Sequence, residues 1–176
     1  MEKSWIMLNF TIPKEPSRVR VSVWRKLKKN GSVNIGQSMW ILPSSEYHIN
    51  FFNEIANEIK NNHGIAYIIS AEFLSGISDV SIIEVFNKAR DEEYTEFIEK
   101  CKDYVEEIEK ETVKEKFTYV ELEENEDEIN KLIKWFEKIS KRDFFLAPLK
   151  NEAEEIIERC KVLLEVFSSN IYEANN

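Results

Sequence analysis

The residues best suited to bind a charged partner are cations that recur at helical spacing near the N-terminus. One helix face is followed by positions i, i+4, i+7 and i+11, which here are Arg18, Ser22, Arg25 and Lys29. Lys26 and Lys28 flank that face. Guanidinium and ammonium groups in such a row can bind the phosphates of duplex DNA or another anion. A solvated helix face that pairs with acidic residues elsewhere produces the same pattern, so both interpretations stay open.

Arg20 differs from these cations because its helical phase falls between Leu27 and Trp24, at the edge of the face that should be buried. A cation at that position needs a carboxylate or an aromatic ring, since an unpaired buried charge is unfavourable. We therefore expect a structural salt bridge or a cation–π contact for Arg20, with anion binding as the alternative.

A second helical stripe is apolar or aromatic except for one arginine. Its members are Phe86, Arg90, Tyr94, Phe97, Cys101, Tyr104 and Ile108. Arg90 is expected to pair internally, with Asp143 as the candidate carboxylate, or to point into a pocket that holds a small oxyanion. Tyr94, Arg142 and Asp143 are assigned a structural polar role. Arg142 and Asp143 are expected to form polar contacts within the protein, and the adjacent Phe144 and Phe145 are expected to pack as an aromatic pair.

No residue pattern typical of catalysis or of a metal site is present. His48 shares a helix face with Phe52 and Ile59, which predicts a histidine at the edge of a core, and His63 lies where that helix should end. Neither histidine has a cysteine, histidine or carboxylate at metal-ligand spacing. Phosphate-binding loops and nucleophile elbows are also missing. We predict a non-enzymatic protein without a cofactor or metal.

The cysteines and the charge distribution indicate the compartment and the partner. Cys101 and Cys160 are far apart in sequence and are expected to be packed, free thiols of a cytoplasmic protein, because no signal peptide or membrane-spanning stretch is evident. The net charge of −9 is unevenly distributed. Residues 1–43 contain eight cations and two acids, a net charge of +6, so the remainder carries −15.

The elements that position these residues follow a β-α-β-β-α-β order in the first half. Apolar runs and Pro, Gly and Ser boundaries predict strands near 5–12, 32–35, 38–42 and 65–71, and helices over 17–30 and 46–62. Ser17 is predicted to cap the first helix. This order is typical of the α+β, ferredoxin-like fold, an antiparallel four-stranded sheet with two helices on one face.

The second half is predicted to be helical. After a loop at 74–79, a charged helix should run from 81 to about 114, and two more should cover 125–140 and 148–169. Residues 117–122 read as a short edge strand or an extended linker. Two domains are expected, a ferredoxin-like sandwich over 1–75 and a helical part over 80–172.

Four segments, in order and at matching spacing, resemble the N-terminal domain of the chromate-resistance regulators known as ChrB. They are Trp5–Lys28, Gly36–Pro43 (GQSMWILP), Phe86–Tyr94 (FNKARDEEY) and Arg142–Pro148 (RDFFLAP). The resemblance implies a chromate-responsive, DNA-binding regulator, in a form without the larger C-terminal domain of full-length ChrB proteins. Duplex DNA, chromate or another oxyanion, and a second copy in a homodimer are the implied partners. A protein-interaction scaffold without DNA binding is the alternative.

The first half also resembles the ferredoxin-like domain of phenylacetate-operon repressors and of CRISPR spacer-acquisition nucleases. Metal-dependent nucleases of that kind place an aspartate at the end of the first strand. Residues 9–12 read Asn-Phe-Thr-Ile here and carry no carboxylate. Phosphodiester cleavage would lack its metal anchor, which argues against a nuclease.

Overall fold

The computed structural model describes residues 4–74 and 76–175. Within them the protein is a mixed α/β structure with one four-stranded sheet and five helices. The strands are β1 (Trp5–Thr11), β2 (Val33–Gly36), β3 (Met39–Pro43) and β4 (Ile65–Ala71), and the helices are α1 (Ser17–Lys29), α2 (Glu46–Asn61), α3 (Gly76–Val113), α4 (Tyr119–Ser140) and α5 (Lys150–Ala174). The chain divides into two compact units, Met1–Phe86 and Asn87–Asn176, and the division falls inside α3.

The sheet of the first unit has the strand order β2-β3-β1-β4, and every neighbouring pair is antiparallel. The central strand β1 pairs Trp5 with Pro43 of β3 on one side and with Ala71 of β4 on the other. Residues 5–8 are buried, because β1 is covered on both faces and both edges. The predicted mixed α/β class with an antiparallel four-stranded sheet is confirmed, and the narrower ferredoxin-like assignment stays a prediction.

Helix α1 is amphipathic, and it buries Val19, Val23 and Leu27 at i, i+4 and i+8. Its N-cap residue is Pro16, which offers no side-chain cap, so the prediction that Ser17 caps this helix is wrong. Ser17 instead occupies the first helical position. Helix α2 does have a side-chain cap, because the Ser45 hydroxyl accepts a hydrogen bond from the His48 N–H.

Two glycines set the ends of these helices. Gly31 follows α1 with a φ of 79°, a left-handed conformation that a side chain disfavours. Gly64 lies between α2 and β4, where a Cβ atom would come within 2.6 Å of both the Ile59 side chain and the Thr11 carbonyl oxygen. A larger residue at Gly64 would therefore push the end of α2 away from β1.

The start of α3 packs within the first unit. Trp5 Nε1 donates a hydrogen bond to Asp79 Oδ1 at 2.6 Å, and its ring stacks on Phe86 at a centroid distance of 5.9 Å. The predicted loop at 74–79 is shorter than expected, because α3 begins at Gly76; Ser75 lies outside the described residues.

The second unit is a helical core formed by the later part of α3 with α4 and α5. The predicted α3 stripe is buried, and its part from Tyr94 to Ile108 shares a core with Ile157, Cys160 and Phe167 of α5. Every α3 residue of that stripe is at most 4% exposed, including the one arginine. Helical periodicity therefore identified the buried face correctly.

Two predicted boundaries in this unit are wrong. Residues 117–122 do not form a strand, because α4 already begins at Tyr119 and Thr118 Oγ1 accepts a hydrogen bond from the Glu121 N–H. Pro148 precedes α5, which starts at Lys150, so it does not occupy the first turn.

None of the described helices has a stretch long and apolar enough to cross a membrane.

Candidate anion-binding sites

The outward face of α1 is a row of exposed cations. Val19, Val23 and Leu27 fix the opposite face on the core, so the charged side chains are directed away from it. The predicted surface residues on this helix are all exposed, namely Arg18, Arg20, Arg25, Lys28 and Lys29. Within the described part of the chain, none of these five forms an ion pair.

Lys26 is the exception on α1, because its Nζ lies 2.6 Å from Glu58 Oε2 of α2. Glu58 also accepts a hydrogen bond from Ser22 Oγ at 3.1 Å. Lys29 lines a cleft that includes Glu54 and Glu58, without reaching either in an ion pair. The solvated-face interpretation therefore holds for Lys26, whose charge is compensated, and the remaining cations keep their charge available to a partner.

The N-terminal end of α1 favours anions for a further reason. The first turn contains no acidic residue, and Pro16 provides no side-chain acceptor for the helix N–H groups. Arg18 lies in this turn, where the helix dipole and the free N–H groups attract negative charge. The last turn carries Lys26, Lys28 and Lys29, so cations extend along the whole helix.

Arg20 lies where the sequence did not place it. It was expected at the edge of the buried face with a carboxylate or aromatic partner, but its side chain is exposed and has no ion pair among the described residues. Together with Trp24 and Lys28 it lines an open groove of about 730 Å³ beside the β2–β3 hairpin. The hairpin leaves this flank of α1 uncovered, which the helical phase alone could not reveal.

Arg90 of α3 is a buried cation with an incomplete set of partners. Its side chain is almost fully buried, and its Nη2 lies 3.3 Å from Glu93 Oε1, so Asp143 is not its partner as predicted. Nε and Nη1 are buried and have no hydrogen-bond acceptor within the described residues. Burial lowers the pKa of this guanidinium, and the nearby Glu93 carboxylate opposes that effect.

Glu93 joins the two arginines of this cluster. Its Oε2 accepts a hydrogen bond from Arg142 Nη2 at 2.6 Å, while its Oε1 faces Arg90. The signal for this pairing was present in the sequence, because Arg90 and Glu93 are three residues apart on one helix face. Glu93 occupies only Nη2 of Arg90, so the Nε and Nη1 donors of this guanidinium have no acceptor among the described residues.

Asp143 and Tyr94 form the neighbouring polar contact. Tyr94 Oη donates to Asp143 Oδ2 at 3.2 Å, and Asp143 Oδ1 accepts from the Ala147 N–H at 3.0 Å. Burial, with the Asp143 charge adding to it, raises the pKa of Tyr94 to about 12. These contacts fix the 143–147 turn against α3, and the structural polar role assigned to Tyr94, Arg142 and Asp143 stays a prediction.

The two cysteines lie together in the core of the second unit. Both are fully buried free thiols, and Cys160 Sγ lies 3.7 Å from the Cys101 carbonyl oxygen. The contact with Cys160 and burial raise the pKa of the Cys101 thiol. A protonated, buried thiol is a poor nucleophile, so the raised pKa of Cys101 indicates packing and not reactivity for that thiol.

Comparison with known proteins places this arrangement in a family. A comparison with curated proteins gives no match. A family model described as "Protein ChrB, N-terminal" matches residues 20–176, which include α1 from Arg20 onward, the hairpin and the Arg90 cluster. Because the match covers nearly the whole chain, the protein belongs to the ChrB N-terminal family.

Proposed function

We propose that this protein is a non-enzymatic regulatory module that binds duplex DNA phosphates through α1. Its family relates it to chromate resistance. The observation that carries the proposal is the exposed set of α1 cations without an ion pair in the described residues, from which we assign phosphate contact to Arg18, Arg25, Lys28 and Lys29.

The energetics of this contact follow from charge. Each cation that neutralises a phosphate releases counterions, which favours binding at low salt and weakens it as salt rises. The remainder of the chain is strongly acidic and would be repelled by DNA. Repulsion of the acidic remainder favours approach through α1, so the charge imbalance orients the protein and does not exclude binding.

A homodimer is part of the proposal. The edge strand β4 exposes Ile65, Tyr67 and Ile69 at every second position, which places three apolar side chains on one face. A second copy of the chain could cover this stripe. The ferredoxin-like assignment belongs to the same proposal, and the antiparallel order β2-β3-β1-β4 supports it.

The test is a fluorescence-anisotropy titration of labelled duplex with Arg25→Ala/Lys29→Ala. We expect weaker binding to all DNA sequences. We also expect the slope of log K against log salt concentration to be smaller in magnitude by about 1.8, because two phosphate contacts are lost. The matched control is Lys131→Ala/Lys138→Ala, which removes the same charge from exposed positions on α4. Equal affinity for the two double variants would contradict the proposed surface.

A second candidate, binding of a small oxyanion at Arg90, is favoured by one specific observation. A nearly fully buried guanidinium holds two N–H donors without an acceptor in the described residues, and an oxyanion such as chromate or sulfate could accept from both. The acidic helices would then serve a protein partner as a scaffold.

This candidate is tested by thermal unfolding with and without millimolar chromate or sulfate. Binding to the folded state raises the melting temperature, and we expect Arg90→Lys to remove that rise. Arg159→Lys is the control, because Arg159 forms an exposed pair with Glu109. The absence of any shift in the unaltered protein would remove oxyanion binding as a function.

A further inference from the structure

The groove beside α1 has a different chemistry from the cationic outward face. Arg20, Trp24 and Lys28 line one wall at i, i+4 and i+8, so a cation lies one helical turn on either side of the indole. Phe10 and Trp40 of the sheet line the groove as well. A volume of about 730 Å³ is of the size that holds small organic ligands.

Trp24 is the unusual residue of this groove. Its side chain is 52% exposed, although an indole is the largest apolar group that a helix could bury. Single exposed apolar residues are common and need no explanation. Here the exposed ring lies between two cations without an ion pair in the described residues, and that combination matches a ligand with an aromatic face and negative charge.

The opposite wall supplies polar groups at the β2–β3 turn. Asn34 and Gln37 are exposed and line the groove, and Asn34 Nδ2 donates to the Gln37 carbonyl oxygen at 3.0 Å. This bond fixes the turn through the backbone of Gln37 and does not involve its side-chain amide. An amide can donate to and accept from the edge of a base.

We propose that this groove binds an unpaired nucleotide of single-stranded nucleic acid. The base stacks on Trp24, the flanking phosphates pair with Arg20 and Lys28, and the hairpin amides face the base edge. The inference rests on the proposed nucleic-acid function and adds to it the flank of α1 that carries Arg20 and Trp24, which shares Lys28 with the proposed duplex surface. Aromatic stacking combined with a cationic groove is the general mode of single-strand binding.

The experiment compares two probes, a labelled oligothymidine of about 12 nucleotides and a blunt duplex, by fluorescence anisotropy. Trp24→Ala is expected to weaken oligothymidine binding by about 5- to 100-fold and to change duplex binding by less than about twofold. Trp24→Phe keeps an aromatic face and should restore most of the affinity. Tyr119→Ala, at an exposed aromatic of α4, is the control.

The two proposals fail in different ways. Loss of oligothymidine binding in Trp24→Ala, with recovery in Trp24→Phe, supports the groove even if the duplex does not bind. Oligothymidine affinity within about twofold of the unaltered protein in both Trp24→Ala and Arg20→Ala overturns it, even if the duplex binds through α1. Equal losses for both probes also overturn it, because the groove would then not distinguish single strands.

Quenching of the intrinsic tryptophan fluorescence by the oligothymidine gives a second test. It uses Trp24→Phe, which keeps an aromatic ring, and does not depend on Trp24→Ala. Stacking on Trp24 predicts quenching that Trp24→Phe largely abolishes. Quenching of the same size in Trp24→Phe would assign the signal to another tryptophan and overturn the stacking contact.

Discussion

The cations of α1 and those of the Arg90 cluster differ in their exposure to solvent and in their ion pairing. On α1, Arg18 and Arg25 are exposed and have no ion pair in the described residues, so water solvates them. In the second unit, Arg90 is buried and shares Glu93 with Arg142. Removal of a charge from water is unfavourable unless a partner compensates it, which is why the buried arginine requires a carboxylate.

The difference indicates which region serves stability and which serves a partner. A buried ion pair contributes little compared with an apolar replacement, but removal of one member leaves an uncompensated charge. An exposed cation contributes almost nothing to folding, and its charge remains available for binding. Substitutions in the two regions should therefore separate stability from affinity.

The largest expected effect follows the loss of Glu93. Glu93→Gln leaves Arg90 buried without its ion-pair partner, and we expect the free energy of unfolding to fall by about 2–3 kcal/mol. The value lies below that of a fully buried pair because the Glu93 side chain is 31% exposed. Urea unfolding, followed by circular dichroism, measures it.

Glu92→Gln is the matched control, because the neighbouring Glu92 is exposed and forms no ion pair in the described residues. It should change the free energy of unfolding by less than about 0.5 kcal/mol. Equal effects at the two positions would show that Arg90 does not depend on Glu93. They would contradict the proposed difference between the buried Arg90 cluster and the exposed α1 cations.

A smaller effect is expected at Tyr94. Tyr94→Phe removes the hydrogen bond to Asp143 while Asp143 keeps the Ala147 N–H, so the free energy of unfolding should fall by about 1 kcal/mol at neutral pH. The measurement is again urea unfolding. No loss would mean that the buried hydroxyl contributes nothing to the 143–147 turn.

Tyr94 also predicts a pH dependence. Its pKa is raised to about 12 in the folded state against about 10 in the unfolded state, so the folded state holds the proton more tightly. The resulting stability is complete below pH 10 and is lost as pH rises toward 12. Tyr94→Phe should flatten the decline in this window, and an unchanged slope would contradict it.

The smallest effects on stability are expected on α1, where two adjacent residues provide the sharpest comparison. Lys26 pairs with Glu58, whereas Arg25 has no ion pair in the described residues. Arg25→Ala should leave the free energy of unfolding unchanged to about 0.5 kcal/mol, and Lys26→Ala should lower it by less than about 1 kcal/mol. Arg25→Ala should reduce the magnitude of the slope of log K against log salt concentration by about 0.9. Lys26→Ala should reduce it by much less. The reverse order in the binding experiment would contradict the assignment.

Local sequence signals predicted the first unit well. Proline, glycine and the Ser45 cap restrict the backbone, so β4 was predicted at its observed bounds and α1 and α2 to within one residue at each end. The start of α4 was missed, although Thr118 and Glu121 form the S/T-x-x-E spacing of a helix start. Residues 117–120 (Phe-Thr-Tyr-Val) have a high intrinsic preference for strands, but the Thr118 cap starts a helix there instead.

The sites were predictable in part. Helical phase identified the exposed α1 face and the buried Arg90 stripe, because both depend on spacing along one helix. Asp143 was predicted as the partner of Arg90, whereas the structure pairs Arg90 with Glu93, whose i, i+3 spacing on α3 was the signal that this prediction missed. The groove beside Arg20 also depends on where the β2–β3 hairpin lies, which no single-helix pattern contains.

The most direct test of the central claim is titration of labelled duplex DNA with the unaltered protein over a series of salt concentrations. Binding through α1 predicts that log K falls linearly with log salt, with a slope of about −0.9 for each cation of the four proposed that meets a phosphate. The affinity should then fall steeply from low to physiological salt. No binding at low salt, or binding that salt does not weaken, would contradict a phosphate-binding role for α1.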